Sequence, residues 1–422
     1  VERTLGGIER QFYEHDRFGS VQGSLVLFLQ GTARWDLLGA ALESLARYCP
    51  PLLTCIRATP EPHIARLDPA TKIPYRIQES SSPDAWRSVA EQLAPQRFDD
   101  QGPCIRVTVV AGSGRSELLV TVDHRLVDAV TALHLCQVLV SLLAGAPAPS
   151  SAMRLGPPLE ELFPAARRGL RGGLALAADV MRLLYRGRKP ALRLPLLHPE
   201  FTRTTSTRGL EVDATLKREM EGDAKAQGAN LVALLSAVLL HATHHAFGDR
   251  KSHIIANLPV NIRPYLSPPV SLDTFGLYLA GLVEAVEVTD TKPILDTAKE
   301  MKRSISADLE RRLPLGMARL FRAGSQGLRL DPGEDRLRPT LNISHLRGID
   351  GFATLPEGRF SHYRAVGSLW PTDSLMVVCA HHQEGVHLDV HASQERLGEA
   401  AAARFTDILQ AMLTGRAWVT RS

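Results

Sequence analysis

The sequence predicts an α/β (α+β) protein built from two similar lobes, each combining a mixed sheet with helices. Two observations carry this. Short apolar runs of strand character alternate with segments whose apolar residues recur at helical spacing, in both halves of the chain. A Pro-, Gly- and Arg-rich stretch interrupts the pattern between them. With 422 residues, 44% hydrophobic and 22% charged, the chain is long enough for two or three domains with sizeable cores. The boundaries expected are 1–160 for the first lobe, 161–200 for a basic connector and 201–422 for the second lobe.

In the first lobe, "SLVLFLQG" (24–31) reads as a strand. "WDLLGAALESLARYC" (35–49) places Leu37, Leu38, Ala41, Leu42, Leu45 and Ala46 at helical spacing. "PLLTCIRA" and "CIRVTVVAG" read as strands, and "SELLVTV" follows the turn-like "GSGR". A mostly buried helix over 129–145 stops at Gly145, with Pro147 and Pro149 behind it. "PAPSSAMRLGPP" then reads as a linker. Residues 165–197 form a basic, partly helical connector carrying Arg167, Arg168, Arg171, Arg182, Arg186, Arg188 and Lys189. Such a surface attracts an acidic partner or anionic lipid; equally, it is the pattern of a linker helix with solvated arginines.

In the second lobe, Asn230 reads as the N-cap of a buried helix that stops at Gly248. Strands are expected at 253–263, 276–288 and 339–349, and a charged helix at 291–312. Residues 374–393 read as a hairpin turning at Gln383, Glu384 and Gly385, followed by a final helix over 394–413.

Charge is nearly balanced, 49 Lys+Arg against 45 Asp+Glu, and no aromatic-plus-basic stripe is present, so nucleic acid is not an expected partner. Five scattered cysteines (Cys49, Cys55, Cys104, Cys136, Cys379) contain no C-x-x-C pair, which argues against zinc and against a disulfide framework. The N-terminal stretch lacks a leader-like pattern, and no apolar run reaches the length of a membrane span. The expectation is a cytoplasmic monomer, free or peripheral to a membrane, with no integral membrane segment.

Among the fifteen histidines, three groupings invite a functional reading. His241 and His245 are four apart on a helix, but the glutamate of an H-E-x-x-H site is missing, so no metal is expected. His381, His382, His387 and His391 belong to the hairpin. "DHRLVDA" differs, because Asp123, His124, Arg125 and Asp128 lie where the apolar run Leu118 to Val122 gives way to a helix. A histidine held in one tautomer serves as a general base near neutral pH. Asp128 fits two roles here, holding the ring directly or bracing the loop through an arginine elsewhere. A local salt bridge is the plainer reading of the same residues.

"VDHRLVDA" resembles the H-H-x-x-x-D-G motif of the superfamily of chloramphenicol acetyltransferase, dihydrolipoyl acyltransferases, nonribosomal peptide condensation domains, plant acyltransferases and mycobacterial polyketide-associated acyltransferases. "LGGIERQFYEHD", "RFDDQGPCIRVTVV", "LPVNIRPYL" (258–266), "TFGLYLAG" (274–281) and "LNISHLRG" are similar to family segments in order and spacing. In length and order the chain most resembles stand-alone polyketide- or lipid-associated acyltransferases of the phthiocerol dimycocerosyl transferase type. The resemblance implies two chloramphenicol acetyltransferase-like lobes with an active-site channel between them.

It also implies roles. His124 is the general base that activates an acceptor hydroxyl, or an amine, on a polyketide, lipid or other secondary metabolite. The donor is an acyl thioester on coenzyme A or an acyl carrier protein, and the carrier protein or a polyketide synthase is the partner implied. Asp128 pairs with Arg263 and holds the loop. Asp123 stands where the family has its first histidine, as in dihydrolipoyl acyltransferases, and Ala129 replaces the motif glycine. Ala129, Asn261, Gly276, Ser368 and Thr372 are channel candidates, the two hydroxyls among them as donors to the oxyanion. No metal and no bound cofactor are implied. Neither a Gly-x-Ser-x-Gly elbow nor a reactive-cysteine setting is present, so transfer without a covalent enzyme intermediate is expected. The alternative is a catalytically silent relative that recruits partners in a biosynthetic assembly line.

Overall fold

The computed structural model describes residues 3–31, 33–59, 61–197, 204–324, 339–347, 354–355, 358–370 and 373–419. The chain forms two compact units, and neither is continuous in sequence. The first comprises Val1–Leu162, Leu266–Tyr278 and Leu346–Ser368; the second comprises Phe163–Tyr265, Leu279–His345 and Leu369–Ser422. The division expected at 160 and 200 follows chain order, whereas two segments of the C-terminal half build part of the first unit.

The first unit is organised on a six-stranded sheet in the order Thr354–Leu355, Gly358–Gly367, Gln22–Gly31, Arg115–Asp123, Ile105–Gly112 and Tyr75–Glu79. All neighbours are antiparallel except the last pair, which is parallel. Helix Ala85–Leu93 covers one face, setting Trp86, Val89 and Leu93 against Val26, Val110, Leu119 and Val366. Helix Ala129–Leu143 packs on the strands Gln22–Gly31 and Arg115–Asp123 and on helix Leu38–Tyr48. Covered on both sides, strand Arg115–Asp123 is buried from Ser116 onward, which is why it reads as an apolar run rather than an alternation. The linker-like stretch after Pro147 is ordered against the unit. Met153 N–H donates to the Tyr48 carbonyl at 2.7 Å, and Arg154–Leu155 pairs in parallel with Thr274–Phe275.

The second unit has its own six-stranded mixed sheet, in the order Leu279–Thr289, Lys251–Asn261, Leu341–Leu346, Leu375–His382, Gly385–Ser393 and Thr205–Asp213. Helix Leu231–Phe247 runs through its core, buried at nearly every position from Leu231 to Ala246. It starts as expected: the Asn230 Oδ1 accepts the Ala233 N–H at 2.9 Å. The expected hairpin forms between Leu375–His382 and Gly385–Ser393. The last helix begins at Glu399, five residues later than expected, after Gly398 adopts a left-handed φ of 78°. No single helix among the described residues is long and apolar enough to cross a membrane.

The connector is largely helical, over Gly169–Arg186, and belongs to the second unit. Several of its cations are held internally. Arg167 binds the Asp179 carboxylate and the Arg311 carbonyl, and Arg168 Nε donates to the Phe163 carbonyl at 2.5 Å. Arg186 reaches Asp308 at 2.6 Å and the Val283 carbonyl at 2.6 Å, and Lys189 reaches Glu287 at 2.8 Å. A uniform field of solvated arginines is therefore not what this segment presents.

Replacing Asn230 by Ala removes the cap of the central helix, and a loss of about 1 kcal/mol is expected. The lowered urea midpoint of the transition that carries the second unit's helical signal measures it.

Candidate active site

Strand Arg115–Asp123 ends opposite Gln22, and the chain turns at once. The Asp123 carbonyl accepts the N–H groups of Leu126 and Val127, both at 3.0 Å, and helix Ala129–Leu143 starts two residues later. His124 is the first residue of this turn. Its N–H donates to the Val21 carbonyl at 3.2 Å, and its half-buried ring meets the Phe12 ring edge-on with centroids 5.3 Å apart. The ring Nδ1 lies 2.6 Å from the Val127 carbonyl oxygen. A carbonyl only accepts, so Nδ1 carries the hydrogen and Nε2 keeps its lone pair. Burial pushes the His124 pKa below its ordinary value, opposed by the Val127 carbonyl and by Asp128 and Asp123. The imidazole is thus held neutral, in one tautomer, with an acceptor nitrogen. Val127's backbone, not a carboxylate, holds Nδ1.

Asp123, in the place of a histidine, is engaged by its neighbour. Arg125 binds both of its oxygens, Nε to Oδ1 at 2.8 Å and Nη2 to Oδ2 at 2.8 Å, and the Arg125 N–H adds a third bond to Oδ1 at 3.0 Å. Arg125 also reaches Asp16 at 3.3 Å, and Asp16 accepts the Val21 N–H at 2.9 Å. Burial alone would lower the Arg125 pKa, but the Asp123 and Asp16 carboxylates outweigh it and raise it. The pair is a planar, bidentate clamp that stiffens the end of the strand.

Asp128 caps the following helix. Its Oδ1 accepts the Thr131 N–H at 2.8 Å, and its Oδ2 accepts the Tyr278 N–H at 2.9 Å. The same junction carries a third link, from Thr131 Oγ1 to the Gly276 carbonyl at 3.4 Å. Ala129 is the first helical residue, and its φ is not among the positive ones, so the missing glycine brings no backbone strain. Gly276 has a steric role: a Cβ there would lie 2.8 Å from the Tyr278 ring. On its other side Tyr278 covers Gly156, where a Cβ would overlap the phenol oxygen. Sequence reasoning missed Tyr278, Phe12 and the Val127 carbonyl. The glycines flanking Tyr278 are the one trace of it in the sequence, and they lie 120 residues apart.

The remaining candidates divide. Ser368 belongs to the first unit, but its hydroxyl donates to the Ala94 carbonyl at 3.2 Å and its N–H to the Gln22 carbonyl at 3.1 Å. Asn261 and Arg263 belong to the second unit, where the Asn261 Oδ1 accepts the Arg263 N–H at 3.1 Å and Arg263 is buried. Thr372 lies outside the described residues. All five cysteines are buried thiols, and burial pushes their pKa values up, which makes them poor nucleophiles. His241 bonds Thr297 at 3.0 Å; the histidines that approach a carboxylate are His244 and His245, whose ligand atoms lie within 4.8 Å of Asp290 and of each other.

Residues 205–366 match the family described as "Phthiocerol/phthiodiolone dimycocerosyl transferase C-terminus". No curated protein matches the sequence. Among solved structures, polyketide synthase associated protein 5 from Mycobacterium tuberculosis superposes with a TM-score of 0.73 at 17% identity, covering 98% of each chain. The first condensation domain of the calcium-dependent antibiotic synthetase, in complex with a substrate analogue, gives 0.77 at 15% identity over 100% of this chain and 97% of that one. The trichothecene 15-O-acetyltransferase from Fusarium sporotrichioides gives 0.76 at 13% identity, over 99% and 95%. The chain has the condensation and acyltransferase fold. The sequence resemblance implied this fold, and the structural neighbours share it.

Within that fold, the Asp123–Arg125 clamp is open to a direct test. Arg125→Met would leave Asp123 buried without its bidentate counter-charge, and Asp16 with the more distant Arg97 at 4.0 Å. A loss of about 3–5 kcal/mol is expected, read as a fall in the urea midpoint; an unchanged midpoint would show that the clamp adds nothing.

Proposed function

We propose that this protein is an acyltransferase with His124 as general base, moving an acyl group from a thioester to a hydroxyl. The observation that carries this reading is the 2.6 Å contact between Nδ1 and the Val127 carbonyl, which leaves Nε2 as a fixed, neutral proton acceptor. Nε2 takes the proton of the acceptor O–H as that oxygen attacks the thioester carbonyl. The tetrahedral intermediate then collapses: the C–S bond breaks, the ester remains, and the departing sulfur recovers the proton from the imidazolium. No enzyme nucleophile is needed, in keeping with five deeply buried thiols.

The donor in this proposal is acyl coenzyme A or an acyl carrier protein, and the acceptor a polyketide, lipid or related metabolite. The matched family's description and the polyketide synthase associated neighbour support that class. Arg263 is taken as the side chain that pairs with Asp128 and holds the loop. A silent, partner-recruiting role rested on the two departures from the motif. Neither disables the turn: Arg125 satisfies Asp123, and Ala129 sits in ordinary helical geometry.

His124→Ala is expected to lower turnover about 10²–10⁴-fold with the melting curve retained; undiminished transfer by the folded variant would remove the assignment. Because burial depresses the His124 pKa, the base form persists below the ordinary histidine value. The acid limb of the rate–pH profile should therefore have its midpoint below the ordinary histidine value of about 6.5. A double-mutant cycle with Asp128→Asn and Arg263→Met tests the supporting pair. An interaction energy above about 1 kcal/mol is expected, and additive effects would dissociate the two residues.

A further inference from the structure

Helix Gly169–Arg186 has two apolar faces, and one of them faces solvent. On the packed side, Gly172, Asp179 and Leu183 are buried, with Leu183 set among Ile255, Val283 and Met317. On the opposite side Leu170, Leu174, Met181, Leu184 and Tyr185 are 85%, 68%, 65%, 55% and 62% exposed, with Ala177 exposed among them. At 3.6 residues per turn these six fall within an arc of about 100° and extend over about 22 Å. Thirteen large hydrophobic side chains are exposed among the described residues, and five of them are on this one helix, so the stripe is not random scatter.

The charge on the same surface has one sign. The helix's single acid, Asp179, is buried against Arg167. Arg171 and Arg182 are exposed along one border of the stripe, and Arg188, just past its end, stacks 3.6 Å over the Tyr185 ring. None of these three makes a salt bridge among the described residues. We propose that this helix is an interfacial anchor that lies in the headgroup layer of an anionic lipid surface, stripe inward, arginines on the phosphates. The long arginine stems let the guanidinium groups stay at phosphate level while the leucines reach the acyl boundary. A second copy of the helix is a poor occupant, because its exposed surface has no acid to meet these arginines. An acidic carrier protein would use the arginines but has no need of a continuous leucine and methionine stripe. The inference does not rest on acyl transfer, because lipid binding is read without turnover.

The test is flotation of the whole protein with phosphatidylcholine vesicles, with and without phosphatidylglycerol as roughly a third of the lipid. The wild type should float with the anionic vesicles and release as salt rises. Leu174→Gln with Met181→Gln should weaken binding at least about tenfold. Arg171→Glu with Arg182→Glu should abolish the preference for phosphatidylglycerol. Tyr185→Trp should shift its emission to the blue on vesicles, reporting insertion rather than surface attraction. Both double variants should keep the wild-type melting curve and the wild-type rate with a short water-soluble thioester. Absence of flotation, or flotation indifferent to Leu174 and Met181, overturns the proposal. So does a light-scattering dimer that the glutamine variant dissolves, or an effect confined to kinetics with a carrier-bound donor.

Discussion

Two backbone hydrogen bonds accepted by the Asp128 carboxylate organise the first unit around its histidine. One oxygen takes the Thr131 N–H and begins helix Ala129–Leu143; the other takes the Tyr278 N–H and fastens the segment Leu266–Tyr278 beside it. Both donors are backbone groups in a site where Asp128 is only 2% exposed, so leaving either unmet would carry its full desolvation cost. Only a carboxylate presents two acceptor oxygens in this position; an amide would turn an N–H toward one of the donors. With the helix start held in this way, Val127 has little freedom, and its carbonyl stays aimed at Nδ1 of His124.

The acids around the turn divide the work by geometry. Asp123 is neutralised by Arg125, and Asp16 shares the same guanidinium, so the charge nearest His124 in sequence is balanced locally. Asp128 accepts the backbone N–H groups of Thr131 and Tyr278. The imidazole is therefore left with a neutral partner on Nδ1, in surroundings that disfavour its charged form. A histidine paired with a carboxylate would be more basic and more often protonated at neutral pH. Here the environment favours a free lone pair instead.

The second unit shows the same economy of charge at its connector. Arg186 lies against two buried acids, Glu284 and Asp308, and burial raises the Glu284 carboxyl to about 7, with Arg186 opposing the shift. One guanidinium thus ties the connector helix to the strand Leu279–Thr289 and the helix Ile294–Glu310. The cations that stay in solvent, Arg171, Arg182 and Arg188, accompany the apolar stripe.

What the sequence determined by itself is local. The Asn230 cap, the left-handed Gly145 after helix Ala129–Leu143, the 374–393 hairpin and the strand-to-helix turn at "DHRLVDA" each depend on residues a few positions apart. Such signals survive in one dimension because short-range hydrogen bonding and backbone sterics produce them. Tertiary structure decided the rest. Strand Gly358–Gly367 pairs with Gln22–Gly31 across more than three hundred residues, so it escaped notice, and with it the discontinuity of the first unit. The place of Tyr278 depends on space left by Gly156 and Gly276, and the fate of each connector arginine depends on which acid folding brings to it. Even His124's tautomer needed the Val127 carbonyl, a backbone atom that every residue type supplies, so its use here depends on where the turn places it and leaves no mark in the sequence.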